Sequence, residues 1–392
     1  MPTVNGTILQ CFHTYLAADG TLWEQVKSRV PSLLEAGFTA LWLPPAYKIA
    51  HEGDPNRPKT CDLFNLGTGY YQPSQALKYG SGEQFCQTVE VARAAGMQVY
   101  ADVAFNLEAA EVRGKLKEWS EWFLEISSVN GFRLDAAIEQ PFGAINAWLD
   151  RLGSYAQQPL FNFGEYWLGE VGPLHWFLRE TGERLALMDV PLHYNFHYAS
   201  RHGDAFDLRG ILDGTLMQQH PLGAVTFVEN HHSQPLGLYE SVVEAWFKPL
   251  AYALILLHRE GYPCVFLADY DGADYAGVGR DGGTYDIAMI PHQFLLDRFL
   301  HARMNFAYGA QYDYFDHPNV VGWTRLGDPD HPKAMAVVMS NGAEGNKWME
   351  VVRPEATFRD ITGHITEPVE TGADGWGEFF CNGGSVSVWV EQ

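Results

Sequence analysis

GFRLDA (Gly131–Ala136) reads as a short strand that runs apolar and ends in a carboxylate, with Arg133 and Asp135 two residues apart and therefore on one face. Three more segments have the same form: ADVAFN (Ala101–Asn106), FGEYW (Phe163–Trp167) and FVENHH (Phe227–His232). A nearly all-apolar strand with a polar tip is what a parallel strand gives when both faces are covered and its C-terminal end opens into a site. Working outward, strand-like and helix-like stretches alternate. Ile8–Phe12 precedes a helix at Leu22–Glu35, Thr39–Leu43 precedes Glu83–Ala95, Gln98–Val103 precedes Lys115–Ile126, and Gly131–Asp135 precedes Ile145–Tyr155. Phe161–Glu165 is followed by a helix near Leu174–Arg179, Leu185–Asp189 by Phe206–Met217, Ala224–Glu229 by Val242–Arg259, and Pro263–Ala268 by Gln293–Arg303. Eight such repeats predict an α/β protein with a closed (β/α)8 TIM barrel. After about Asn305 the helical period gives way to short alternating strands between Gly, Asn and Asp turns. Residues 1–305 are thus expected to form the barrel, and residues 306–392 a small antiparallel, β-sandwich-like C-terminal domain. His51–Thr60 and Asp269–Thr284 read as long irregular loops on the catalytic face.

Bulk properties narrow the function. With 48 acidic against 26 basic residues, the formal charge is −22, a field that opposes phosphate backbones and anionic membranes. Nucleic acid and membrane are therefore excluded as expected partners, and neutral ligands remain. The aromatic complement of 12 Trp, 19 Tyr and 23 Phe suits the apolar faces of sugars, although most of these rings belong in a core. Five scattered cysteines without a C-x-x-C pair read as separate thiols of a reducing compartment. The N-terminal MPTVNGTILQ lacks a basic and apolar leader pattern, so the expected location is the cytoplasm.

The strand tips carry the chemistry. Asp135 and Glu165 end adjacent strands, which brings two carboxyl groups to one cleft, as retaining glycoside hydrolysis requires. Arg133 shares the face of Asp135 and would keep it ionised. Asp102, Asn106 and His231 stand at further tips. His193 and His197, four apart, lack a third ligand and read as packing or hydrogen-bonding groups rather than a metal site. Trp167, beside Glu165, is the best candidate to line a glycan cleft, while Trp42 lies inside an apolar strand and reads as core.

These four segments resemble those of the alpha-amylase superfamily of retaining glycoside hydrolases, and the chain is similar to the liquefying-type bacterial amylases and their intracellular relatives. GFTALWLPPAYK (Gly37–Lys48), DLFNLG (Asp62–Gly67), DVPLHYNFH (Asp189–His197), EAWFKPLAYALIL (Glu244–Leu256) and GWGEFFCNGGSVSVWV (Gly375–Val390) extend the likeness over nearly the whole chain. The resemblance implies that Asp135 is the nucleophile, Arg133 its support and Glu165 the general acid/base. It implies that Asp102 is a structural carboxylate behind the site, Asn106 a loop-organising amide, and His231 a donor to a sugar hydroxyl. His232 stands where the family pattern has a third catalytic carboxylate that binds the sugar's hydroxyls. Leu107 replaces a sugar-binding histidine, and Pro58 a ring-stacking tyrosine. The three changes surround one subsite.

A further departure is a deletion, since only Leu107–Asn130 separates ADVAFN from GFRLDA where the family inserts a calcium-binding domain. Glu139 also stands in place of a ligand histidine. The usual calcium site is therefore expected to be missing, with no metal or other cofactor and an open, shallow cleft. The leading expectation is an alpha-glucan-active retaining hydrolase or transglycosylase acting on maltooligosaccharides, with altered or weakened activity. Two alternatives stand beside it: a non-catalytic carbohydrate-binding or regulatory homologue, and a change of sugar specificity or glycosyl transfer. Self-association is left open.

Overall fold

The computed structural model describes residues 5–46, 78–104, 110–135 and 141–392, and for residues 104 and 110–116 the backbone alone. Eight parallel strands close on themselves: β1 (Ile8–Gln10), β2 (Ala40–Leu43), β3 (Gln98–Ala104), β4 (Gly131–Asp135), β5 (Phe163–Gly164), β6 (Ala186–Met188), β7 (Ala224–Phe227) and β8 (Tyr262–Phe266). Closure comes from β1, which pairs with β2 on one side and β8 on the other. Such a barrel has no free edge, and its strands are buried along almost their whole length. The helices α1 (Leu22–Ala36), α2 (Gly82–Ala94), α3 (Ala110–Ser127), α4 (Phe142–Tyr155) and α5 (Val171–Glu180) follow the first five strands.

Gly131 explains how the decisive strand enters the barrel. A Cβ there would lie 1.7 Å from the carbonyl oxygen of Phe161, so only glycine admits the close approach of the two chains. Along β4, Arg133 is the lateral partner of Asp102 on β3 and of Phe163 on β5. Lateral partners point to the same side of a sheet, so the register alone brings Asp102 and Arg133 together inside the barrel.

The sixth repeat differs from the sequence expectation. Its helix, α6 (Val190–His202), begins immediately after β6, whereas Phe206–Met217 is mostly turns and single 3-10 turns before the one-turn α7 (Leu216–Gln219). The reason is Asp189. It accepts from Leu192 N of α6 and also from Leu216 N and Met217 N, with Pro191 in the first helical turn. One buried carboxylate thus ends the strand and caps two helices. In the seventh repeat the helix α8 is shorter than expected, Lys248–Leu257, because Pro249 sits in its first turn.

After β8 come α9 (Leu267–Asp271), the strands β9 (Ala273–Val278) and β10 (Thr284–Met289), and α10 (Gln293–Asn305). Asp269–Thr284, expected to be irregular, therefore contains most of an antiparallel hairpin, pairing Val278 with Thr284 across Gly279, Gly282 and Gly283.

The C-terminal part is antiparallel. It comprises β11 (Gln311–Tyr314), β12 (Val320–Arg325), β13 (Met335–Ser340), β14 (Gly345–Glu350), β15 (Thr357–Asp360), β16 (Val369–Glu370), β17 (Trp376–Cys381) and β18 (Ser385–Glu391). Six of these strands form one sheet, in the order β11-β12-β13-β18-β15-β16, and β14 with β17 forms a second. Alternate side chains such as Ala336, Val338, Phe358 and Trp389 fill a core with Met349 and Phe379 of the two-stranded sheet. The opposite face, with Val321, Trp323, Met335 and Val337, joins the barrel's core. Trp323 Nε1 also donates to Leu257 O at the end of α8.

Candidate active site

The site lies at the C-terminal ends of the barrel strands and is organised around one guanidinium. Arg133 is 1% exposed; its Nη1 lies 3.1 Å from Asp102 Oδ2 and 2.9 Å from Asp135 Oδ1, and its Nη2 contacts Glu165 Oε2. Below it, Trp42 presents its ring 5.0 Å from the guanidinium carbon and donates Nε1 to Asp102 Oδ2 at 2.9 Å. One cation therefore serves three carboxylates on β3, β4 and the tip of β5. Burial pushes the Asp102 carboxyl up to about 6, with Arg133 opposing that rise.

Asp135 and Glu165 belong to a group, completed by His232, whose nearest ligand-type atoms all lie within 4.8 Å of one another. Asp135 is partly exposed, as a group that must reach a ligand should be, whereas Glu165 is 2% exposed. His232 Nδ1 lies 2.5 Å from Glu165 Oε1. Burial works to raise the Glu165 carboxyl, but the charges of His232 and Arg133 outweigh it and hold Glu165 at about 2. The same pairing acts in reverse on His232. Burial works to lower it, and the Glu165 carboxylate with Asp135 raises it above the ordinary imidazole value.

His231 points the other way. It is pushed well below the ordinary imidazole value, first by burial and then by the charges of His232 and Arg133. Gln10 Nε2, at the tip of β1, meets its Nδ1 at 3.0 Å, and Phe12 and Trp42 pack on its ring. A neutral ring held in this way can present its other nitrogen to a hydroxyl. The two rings lie tilted to each other with centroids 4.0 Å apart, yet their surroundings shift them in opposite directions.

Trp167 lies at the rim, stacked on Tyr239 at 5.0 Å and donating Nε1 to Tyr194 OH at 3.0 Å. It also meets the edge of His232. His193 and His197 serve structure, as expected. His193 Nδ1 and Nε2 are engaged by Val228 O and Ser241 Oγ, and His197 Nδ1 by Val242 O. Asn106, Leu107, Pro58 and Glu139 lie outside the described residues.

Sequence reasoning missed Asn230, Gln10 and the buried ion cluster behind the β7 tip. Asn230 Oδ1 accepts from His232 N and Ser233 N, forming the turn that aims His232 at Glu165, and its Nδ2 is 3.5 Å from Glu165 Oε2. Behind it, Lys248 Nζ bridges Glu229 and Asp269, and Tyr252 OH donates to Asp269 Oδ2, tying β7 to α8 and α9. The available signal was a lone Lys in the otherwise apolar AWFKPLAYALIL, since a lysine buried there requires acidic partners.

Asp135, Glu165 and His232 offer a set of atoms that resembles a metal cage. Arg133, however, already pairs with both carboxylates, and a guanidinium at that distance opposes a divalent ion. The arrangement suits proton transfer and attack by a carboxylate.

Comparison with known proteins places this geometry in context. The family model described as "Alpha-amylase C-terminal" matches residues 335–390. The chain is 35% identical to an alpha-amylase of Geobacillus stearothermophilus over 99% of its own length and 87% of that protein's. It is 33% identical to the cytoplasmic alpha-amylase of Escherichia coli (strain K12), over 98% of this chain and 99% of that one. The first alignment spans 491 positions against the 392 residues of this chain, so that relative carries residues with no counterpart here. The crystal structure of an Anoxybacillus alpha-amylase superposes with a TM-score of 0.72 at 13% identity, covering 99% of this chain and 97% of that one.

Proposed function

Because the chain belongs to the alpha-amylase family, we propose that it hydrolyses α-1,4-glucosidic bonds of α-glucans and maltooligosaccharides with retention of configuration. Asp135 attacks the anomeric carbon and Glu165 protonates the departing oxygen; Glu165 then deprotonates the water that releases the sugar. The observation that carries this reading is the spacing of the two carboxyl groups. Their nearest oxygens lie within 4.8 Å, a short separation that suits direct nucleophilic attack better than the wider pairs between which inverting enzymes seat a water. Arg133 supports the reading by favouring the ionised nucleophile. His231, Trp167 and the ring of His232 are the proposed sugar contacts, in a subsite with altered hydrogen bonding.

The test is incubation with an α-maltosyl fluoride, followed by intact-mass detection of a glycosyl-enzyme. A covalent adduct with turnover supports the reading. Absence of both at high protein concentration sinks it, and leaves a carbohydrate-binding homologue, for which calorimetry with maltooligosaccharides is the direct measure.

The calcium site of the family does not fit this chain. The β3–β4 connection contains one described helix, α3, and a hard cation needs about 6–8 oxygens in one place. Excess EDTA is therefore expected to leave the melting temperature unchanged, and a clear fall on chelation would overturn this assignment. The cytoplasm is the proposed location, supported by the free thiols of Cys11, Cys86, Cys264 and Cys381 and by the similar cytoplasmic relative.

A further inference from the structure

A general acid must carry a proton before it can donate one, and the surroundings of Glu165 are arranged against its doing so alone. Arg133 contacts Oε2, Asn230 Nδ2 approaches the same oxygen, and His232 Nδ1 holds Oε1 at 2.5 Å. A carboxylate in the position of His232 would raise the pKa of Glu165 by like-charge repulsion and so keep it protonated. An imidazole does the opposite, taking the proton onto its own ring.

The charges that face His232 agree with this. Glu165 comes from the tip of β5, Arg133 and Asp135 come from β4, and Asp102 of β3 stands behind Arg133. His231 adjoins on the same tip, with its Nδ1 engaged by the Gln10 amide, and Tyr239 packs on the ring from the loop that follows. Three carboxylates against one guanidinium leave an excess of negative charge that a second cation satisfies. His232, partly exposed and pinned by the Asn230 turn, is the group placed to carry it.

We propose that His232 is the proton store of this site, lending its Nδ1 proton to Glu165 for the acid step and recovering it in the base step. This rests on the retaining mechanism described above. In the first step the anomeric C–O bond breaks as an Asp135 oxygen bonds to carbon. The leaving oxygen takes the proton that His232 Nδ1 has passed to Glu165, leaving a Glu165 carboxylate and a neutral imidazole. In the second step water bonds to the anomeric carbon and Asp135 leaves as carboxylate. The water's proton passes through Glu165 back to Nδ1, so the site returns to imidazolium and carboxylate. His232 is in this sense a positioning residue for the proton, acting through Glu165.

Cleavage of an oxygen leaving group then depends on protonated His232 and falls as pH rises through its elevated pKa, whereas fluoride departs without a proton. The experiment compares kcat/KM against pH for a maltooligosaccharide and an α-maltosyl fluoride, using wild type and His232→Gln. The variant is expected to lose about a hundredfold or more on the maltooligosaccharide and less than about tenfold on the fluoride, together with loss of the imidazole-governed alkaline limb. Equal loss on both substrates, or an unchanged limb, overturns the proposal. A reading independent of turnover is the NMR titration of the His232 ring nitrogens. His232 is expected to titrate above the free imidazole value in wild type and to fall back in Glu165→Gln, and a wild-type value at or below that of free imidazole overturns the proposal. If the fluoride yields no adduct while the ring titrates high, the retaining reading fails and the proton assignment survives.

Discussion

Asp135→Asn is expected to lower hydrolysis of maltooligosaccharides by at least about a thousandfold and to abolish the covalent adduct with α-maltosyl fluoride. The substitution preserves shape, and its amide oxygen can still accept from Arg133 Nη1, which now lies 2.9 Å from Asp135 Oδ1. What is lost is the anionic oxygen that bonds to the anomeric carbon. Since Asp135 is partly exposed, removing its charge leaves no group stranded in the core, and the melting temperature is expected to stay close to that of wild type. Glu165→Gln should behave differently. Fluoride leaves unaided, so the adduct still forms, but no carboxylate remains to activate water and the glycosyl-enzyme accumulates. If Asp135→Asn keeps activity within about tenfold of wild type, Asp135 is not the nucleophile.

Much of this site was legible because a parallel barrel converts sequence position into spatial position. Gly131–Asp135 forms β4 with Asp135 at the rim, so Asp135 and Glu165 had to meet once the strands were ordered. Arg133 was placed by the two-residue period of a strand. Where one residue does two jobs, the periodicity was silent. Asp189 is both the polar tip of β6 and the cap of α6, and reading it only as a tip put the helix of that repeat at Phe206–Met217. The partner of His232 was illegible for another reason. Its aim depends on the Asn230 side chain closing a turn within three residues, a hydrogen bond that has no periodic signature. The motif mismatch at His232 was visible as a lost carboxylate. Only the geometry recasts it as an added base whose ring nitrogen faces the acid.

Replacing Arg133 by Met is expected to cost about 3–5 kcal/mol of stability near neutral pH. The reasoning starts from what remains. Asp102 and Glu165 are buried, Asp135 adjoins them, and without the guanidinium the three carboxylates face one another with the Trp42 indole, Asn230 and His232 as the remaining donors among the described residues. Methionine fills part of the volume and forfeits the contact with the Trp42 ring as well as the charge. The sign of the pH dependence follows from Asp102, which burial already holds at about 6 even with Arg133 present. Removing the cation raises that value further above the unfolded carboxyl, so the folded variant binds protons more tightly than the unfolded chain and gains stability as pH falls. Urea unfolding should therefore show a deficit that is large at about pH 7.5 and smaller at about pH 5. Arg133→Lys retains a charge but lacks the planar fork that reaches three carboxylates, so it should recover part of the stability and little of the activity. A Met variant as stable as wild type at both pH values would mean that Asp102 and Glu165 hold protons of their own. The proton assigned to His232 would then have no reason to leave Glu165.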